Sequence, residues 1–177
     1  MSIDQGAMHD MERFLDGEES HGADSAADNA HYLTIENGFG TFTFDRDNAL
    51  TLPRGLLGFS EETEFALAVL PNPALAEFNL LQSLTKAELS FLVVPLSLDN
   101  DMIATEDLSG ALAELSIAAE DAAILLIVTL REDLEGGVSA TVNLRAPVLV
   151  DTRGQTAYQY VLHKDGYAIR HPLTKAA

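Results

Sequence analysis

The chain has 177 residues, 28 of them acidic and 10 Lys or Arg, a formal charge of −18, and no cysteine. That length suits one domain with some tail, and a globular part of about 150 residues buries roughly 68–70% of its unfolded surface without a disulfide or metal. Thiol catalysis, thiolate zinc sites and disulfide staples are excluded, and so few cations argue against direct contact with nucleic acid, because phosphate binding rests on Lys and Arg. The acidity fits two readings: simple solubility, or a basic protein partner drawn in by long-range attraction.

Residues 1–31 hold eight acidic residues and one Arg. Ile3, Met8, Met11, Phe14 and Leu15 are the only side chains there able to anchor a turn. Low hydrophobicity with high charge does not offset the entropy of ordering. Residues 1–31 therefore read as a disordered acidic tail, and 32–174 as the folded domain. His9, His21 and His31, in or beside the tail, are spaced too widely for a metal motif. Met1 to Arg13 carries no basic n-region and no apolar h-region, unlike a secretory signal. The longest apolar run, Ala122 to Leu130, is strand-sized and falls short of the ~18 residues a membrane helix needs. The expected location is cytoplasmic, without membrane association.

From Tyr32 short apolar runs alternate with turn residues. Leu33 to Glu36 and Thr41 to Phe44 read as a hairpin about Asn37-Gly38-Phe39-Gly40, since Asn-Gly tolerates positive φ. Asp45 to Asn48 is a polar turn before a strand over Ala49 to Leu52. Phe65 to Leu70 alternates as a strand, and Phe78 to Gln82 and Phe91 to Val94 flank a turn over Thr85 to Glu88. A helix starts near Thr105, which is placed to cap it, with Glu106 and Asp107 in the first turn and Leu108, Leu112 and Leu115 on one face. Gly110 weakens that helix by roughly 1 kcal/mol against Ala, and Ala74 to Glu77 offers one more short turn. Ala123 to Thr129 is a continuous apolar strand, expected at the centre of the sheet. Glu135-Gly136-Gly137 turns into Val138 to Asn143, and Pro147 starts Val148 to Val150. Thr152 to Gly154 turns into Thr156 to His163, and Asp165-Gly166 precedes a last strand over Tyr167 to Arg170. The fold class that follows is mostly β: an antiparallel, β-barrel-like single domain with one or two short helices.

Catalytic chemistry finds little support. No Gly-x-Ser-x-Gly elbow and no Walker sequence occurs. His163 and His171, in the folded part, lack partners at metal-ligand spacing. Gly38-Phe39-Gly40 lacks the third glycine and following helix of a dinucleotide fingerprint. Glu61/Glu62, Glu120/Asp121 and Glu132/Asp133 read as solvated turns, not catalytic dyads. No enzyme activity, cofactor or metal is expected. The loop Thr51 to Ser60 is irregular and apolar. Its Leu56, Leu57 and Phe59 are either lids of the core or an exposed patch, with the core favoured. Gln82 and Asn143, amides at strand ends, are placed to satisfy buried backbone groups.

Five blocks, in order over residues 33 to 173, resemble the FliW family of flagellar assembly factors. Leu52-Pro53-Arg54-Gly55-Leu56-Leu57-Gly58-Phe59 is similar to the family's Gly-Leu-Pro-Gly-Phe signature. Phe78 to Pro95 resembles the next block, an aromatic, Leu-Gln-Ser and a Phe-Leu-Val-Val strand. Ile127-Val128-Thr129 fits the central strand, and Thr141 to Val148 an Asn-Leu-x-Ala-Pro block. Tyr167-Ala168-Ile169-Arg170-His171-Pro172-Leu173 resembles the Tyr-x-Ile-Arg-x-Pro-Leu ending. Leu57 departs from the pattern by standing where the family usually has proline, as does Val94 where an acidic residue often precedes the proline.

The resemblance implies a β-barrel-like fold and two mutually exclusive partners. These are flagellin and CsrA, a basic RNA-binding regulator that represses flagellin messenger RNA. Flagellin holds such a factor until secretion lowers its level, and the freed factor then captures CsrA and lifts repression. The partner-binding residues expected are acidic groups on turns near strand ends: Asp101, Glu106 and Asp107, and Glu132, Asp133 and Glu135. Two alternatives stay open: a chaperone for another export substrate without a CsrA link, and a small-ligand or flavin-binding barrel.

Overall fold

The computed structural model describes residues 31–132 and 137–173. The tail expected over residues 1–31 therefore lies outside the described residues, save His31, as do most of the Glu135-Gly136-Gly137 turn and Asp133. The described chain opens with a hairpin, β1 (Tyr32–Asn37) and β2 (Gly40–Asp45), in register from Tyr32 opposite Asp45 to Asn37 opposite Gly40. The positive φ falls at Gly40 (+136°), not at the Asn-Gly pair. Asn37 instead folds the turn through its side chain, whose Oδ1 accepts the Phe39 N–H at 2.7 Å.

A polar turn leads to β3 (Leu50–Thr51), followed by β4 (Glu64–Val69), β5 (Asn79–Ser83) and β6 (Ser90–Leu96). A 3₁₀ turn over Pro73–Leu75, capped by Asn72, stands where a short helical turn was expected, displaced toward Pro73. After β6 comes the helix α1 (Thr105–Glu114), and then β7 (Ala122–Glu132), β8 (Val138–Val142), β9 (Val148–Asp151), β10 (Thr156–Gln159) and the two-residue β11 (His171–Pro172).

Seven of these strands form a closed ring. β7 pairs in turn with β6, β6 with β5, β5 with β4, and β4 with β3; β3 meets β10, β10 pairs with β9, and β9 returns to β7. The pairing is antiparallel as expected, except at closure, where β3 and β10 run parallel through Thr51 and Thr156. β7 is long enough to serve two neighbours on one edge. Its first residues pair with β9 (Ala122 opposite Asp151) and its last with β8 (Glu132 opposite Val138). β8 and β11 thus form a flap outside the ring.

Strands of the ring are buried on both faces, which is why Ala123 to Thr129 reads as continuous apolar sequence. One face supplies the interior: Leu50, Phe65, Leu67, Leu81, Val93, Leu125, Val148, Val150 and Ala157 form one cluster. The other face (Ala66, Leu80, Leu92, Val94, Ile124, Leu126) packs against Ile35, Phe42 and Phe44 of the hairpin and Leu108, Ala111 and Leu112 of α1. Each such buried Leu, Ile or Phe contributes about 1.5–3 kcal/mol.

Several boundaries differ from the sequence reading. Thr105 does not cap α1; Ala104 holds that place without a side-chain bond, and the Thr105 hydroxyl reaches Leu98 O at 3.5 Å. The lead-in is folded by Asn100, whose Oδ1 accepts the N–H groups of Met102 and Ile103. β10 stops at Gln159, and the N–H groups of Tyr160 and Leu162 go to Pro147 O and Arg145 O instead. Tyr167 to Arg170 is not a strand, because this stretch bridges Leu144 and the helix lead-in; the strand falls at His171–Pro172. At the far end of α1, Ser116 takes φ +58° while the Ile117 N–H bonds Leu112 O, a Schellman closure made without glycine.

Gly110 is exposed on α1 with open space where a Cβ would stand. Gly110→Ala is expected to raise stability by about 0.5–1 kcal/mol. Urea unfolding should show a higher midpoint at unchanged m-value.

Candidate protein-interaction surface

Three ionisable groups of the described fold with shifted titration, Asp107, Tyr160 and Tyr167, gather where α1 meets the segment after β10. Asp107, in the first turn of α1, accepts a very short hydrogen bond from the Tyr167 hydroxyl. The same hydroxyl accepts the Ala104 N–H at 3.1 Å, and Lys164 Nζ stands 3.4 Å from the Asp107 carboxylate. The bond from Tyr167, with Lys164 beside it, holds the Asp107 carboxyl below the usual aspartate range. Burial, and then the bond to Asp107, pushes the Tyr167 phenol up. At the last turn of α1, the Tyr160 hydroxyl donates to Glu114 at 2.5 Å, which pushes that phenol up to about 12. His163 lies 3.8 Å from the same carboxylate. Arg145 ties the segment from the other side, through Asp165 and Lys164 O, each at 3.2 Å.

A surface cleft of about 500 Å³ opens beside this clasp. Its walls include Asp101 and Met102 of the helix lead-in, Leu144, and Lys164, Tyr167 and His171. Two of the acidic residues singled out from sequence stand at this clasp, Asp101 exposed on the cleft wall and Asp107 partly buried and occupied by Tyr167 and Lys164, and Glu106 is exposed on α1 next to Asp107 in the chain. Glu132 is exposed at the end of β7, in a separate part of the molecule. Asp133 and Glu135 lie outside the described residues. Sequence reasoning missed Tyr160 and Tyr167, which fell in segments read as strands, and Lys164, which fell between them. Two tyrosines and a lysine in one short polar stretch were the available signal.

The loop from Leu52 to Glu62 closes one side of the ring. Its Leu56-Leu57-Gly58-Phe59 portion is a type II turn, with the Phe59 N–H on Leu56 O at 2.8 Å and φ +88° at Gly58. Leu56 is buried (2% exposed), whereas Leu57 (59%) and Phe59 (37%) are exposed, so the core-lid reading holds for Leu56 alone. The Leu57 N–H donates to Gln159 Oε1 at 2.8 Å, and Phe59 packs edge-on against Phe91 at 5.5 Å. Proline suits the second position of such a turn. Leu57 keeps the turn and adds an N–H that proline lacks.

A family model described as FliW protein matches residues 34–173. The chain belongs to the FliW family of flagellar assembly factors. It is 34% identical over 140 residues to the flagellar assembly factor FliW of Oceanobacillus iheyensis, covering 77% of this chain and 90% of that one. It is 34% identical over 139 residues to the FliW of Desulfitobacterium hafniense (76% of this chain, 86% of that one). Against the FliW of Bacillus subtilis it is 29% identical over 136 residues (76% and 91%). A crystal structure of the flagellar assembly factor FliW superposes with a TM-score of 0.61 at 24% identity, over 79% of this chain and 96% of that one, a likeness of fold. Among the described residues no helix is long and apolar enough to cross a membrane, and no cluster of His, Asp and Glu is arranged to hold a metal.

Proposed function

We propose that this FliW-family chain acts in the cytoplasm by stoichiometric capture, without turnover, binding flagellin and the basic regulator CsrA in competition. The observation that carries this reading is the family match over residues 34–173. A net charge of −18, with Asp101, Glu106 and Glu132 standing exposed, suits a basic partner. Bound flagellin would keep the factor from CsrA; once flagellin is secreted, the free factor would take CsrA and lift repression of flagellin synthesis. The residues assigned to partner binding are Asp101, Glu106 and Glu132, together with Asp133 and Glu135. Asp107 supports them from within, since its carboxylate already serves Tyr167 and Lys164.

Titration calorimetry against flagellin and CsrA of the same organism, singly and in competition, tests this. Saturable binding to both, with flagellin displacing CsrA, is the expected result; binding to flagellin alone would make the protein an export chaperone. Electrostatic steering acts on the association rate and fades with salt. Replacing Asp101 with Asn and Glu106 and Glu132 with Gln together is expected to slow CsrA association severalfold at low salt and hardly at all at high salt. An unchanged rate at low salt would remove these residues from the interface.

A further inference from the structure

We infer that the Leu56–Phe59 turn is a preformed apolar anchor, which seats the Leu57 side chain in an apolar pocket with a cationic rim on a protein partner. Neighbouring exposed apolar side chains rimmed by polar residues mark contact sites, whereas ones scattered singly do not. Leu57 is 59% exposed, and Phe59, two residues on, is exposed beside it.

Rigidity is built in from several directions. Gly55 takes φ +58° where any Cβ would strike Phe59 O, so the loop backbone is closed on itself. The Phe59 N–H bonds Leu56 O, Leu56 is buried in the ring interior, and Phe59 leans on Phe91. Gln159 of β10 holds the Leu57 N–H with Oε1 and reaches Ala146 O with Nε2 at 3.3 Å. A side chain presented on so fixed a backbone loses little freedom when it docks, which favours affinity.

The chemistry of the rim selects the partner. Glu61 and Glu64, exposed, follow the turn, while Glu62 bonds Phe59 O through its N–H and turns its carboxylate to the hydroxyls of Ser83 and Thr85. One cation, Arg54, precedes it. Two exposed carboxylates after the turn, against one guanidinium before it, complement a pocket edged by Lys or Arg. The anchor and the acidic side chains then divide the work: charge speeds encounter, and the apolar contact slows departure.

The inference rests on the proposed function for its probes, CsrA as the basic protein and flagellin as the comparison. The full chain, its Leu57→Ala variant and its Leu57→Met variant are measured by surface plasmon resonance at low and high salt, with thermal midpoints and light scattering alongside. Leu57→Ala is expected to weaken CsrA at least tenfold, chiefly through the dissociation rate and equally at both salts. The thermal midpoint and flagellin affinity should hold, and Leu57→Met should bind within about threefold of the parent. Wild-type binding that Leu57→Ala leaves unaltered overturns the anchor alone. So does a loss confined to flagellin, or a loss of self-association that places a second copy on the tip. A wild-type chain that binds neither probe overturns the proposed function, and the anchor with it.

Discussion

Gly55→Ala is expected to destabilise the domain by about 3 kcal/mol or more, seen as a lower denaturant midpoint. Two penalties coincide at this position. The backbone sits at φ +58°, where a side chain other than glycine or asparagine costs about 1–3 kcal/mol. A Cβ there would also stand 2.2 Å from Phe59 O, 2.8 Å from Ser60 Cα and 2.9 Å from Ser60 C. All three are backbone atoms, so no rotamer change relieves the overlap. The loop must open, which lifts Leu56 from the interior cluster. Gly58→Ala provides the comparison: φ is +88°, but the space is open, so only the backbone penalty applies and a loss of about 1 kcal/mol is expected. Equal losses at the two positions would mean that the loop absorbs the overlap without cost.

Gln82→Leu is expected to cost about 3 kcal/mol, although it places an apolar side chain of similar length in a fully buried position. Gln82 is 0% exposed. Its Nε2 faces Ser83 O at 2.8 Å, Leu89 O at 3.0 Å, and Lys86 O and Ala87 O at 3.2 Å each. Its Oε1 accepts the Asn37 side-chain N–H at 2.7 Å, which ties the β1–β2 hairpin to the ring. Leucine leaves carbonyls of the β5–β6 turn and the Asn37 amide without their partner, at about 1–3 kcal/mol for each buried group. Gln82→Glu sharpens the test. A carboxylate cannot donate to those carbonyls, and a protonated carboxyl can, so the folded-state pKa of the new group is raised above its unfolded value. The folded state then holds the extra proton, and stability falls as pH rises above the ordinary glutamate range. Urea titrations of this variant should therefore show recovery on acidification that Gln82→Leu lacks. Parallel pH profiles for the two variants would refute the carbonyl-binding role.

Gln82 and Asn143 were legible as structural amides because a buried amide at a strand end has backbone groups to satisfy. Asn143 Oδ1 indeed accepts the N–H groups of Arg145 and Ala146. The strands were legible for a related reason: burial on two faces writes itself as an unbroken apolar run, as in Ala123 to Thr129. The barrel-like class was legible too, but not the pair that closes it, since closure depends on one parallel contact between Thr51 and Thr156, residues with no local mark of it. Nor could the sequence say which of Leu56, Leu57 and Phe59 turns inward, because in a type II turn the direction of each side chain follows from the glycine dihedrals and not from any period. Asp107 looked like its exposed neighbour Glu106. What sets it apart is Tyr167, far along the chain and brought across by the path of the segment after β10.

The divided edge of β7 separates the strands that close the barrel from those laid along it. β9 alone closes the ring along the first half of that edge, so every ring strand keeps two neighbours whether or not β8 lies along the second half. The flap of β8 and β11 lies against the ring, with Val142, Leu144 and Leu162 buried in the cluster that α1 shares. A change on the exposed face of the flap therefore leaves ring pairing untouched, whereas a change at these three positions reaches the core that binds α1 to the barrel.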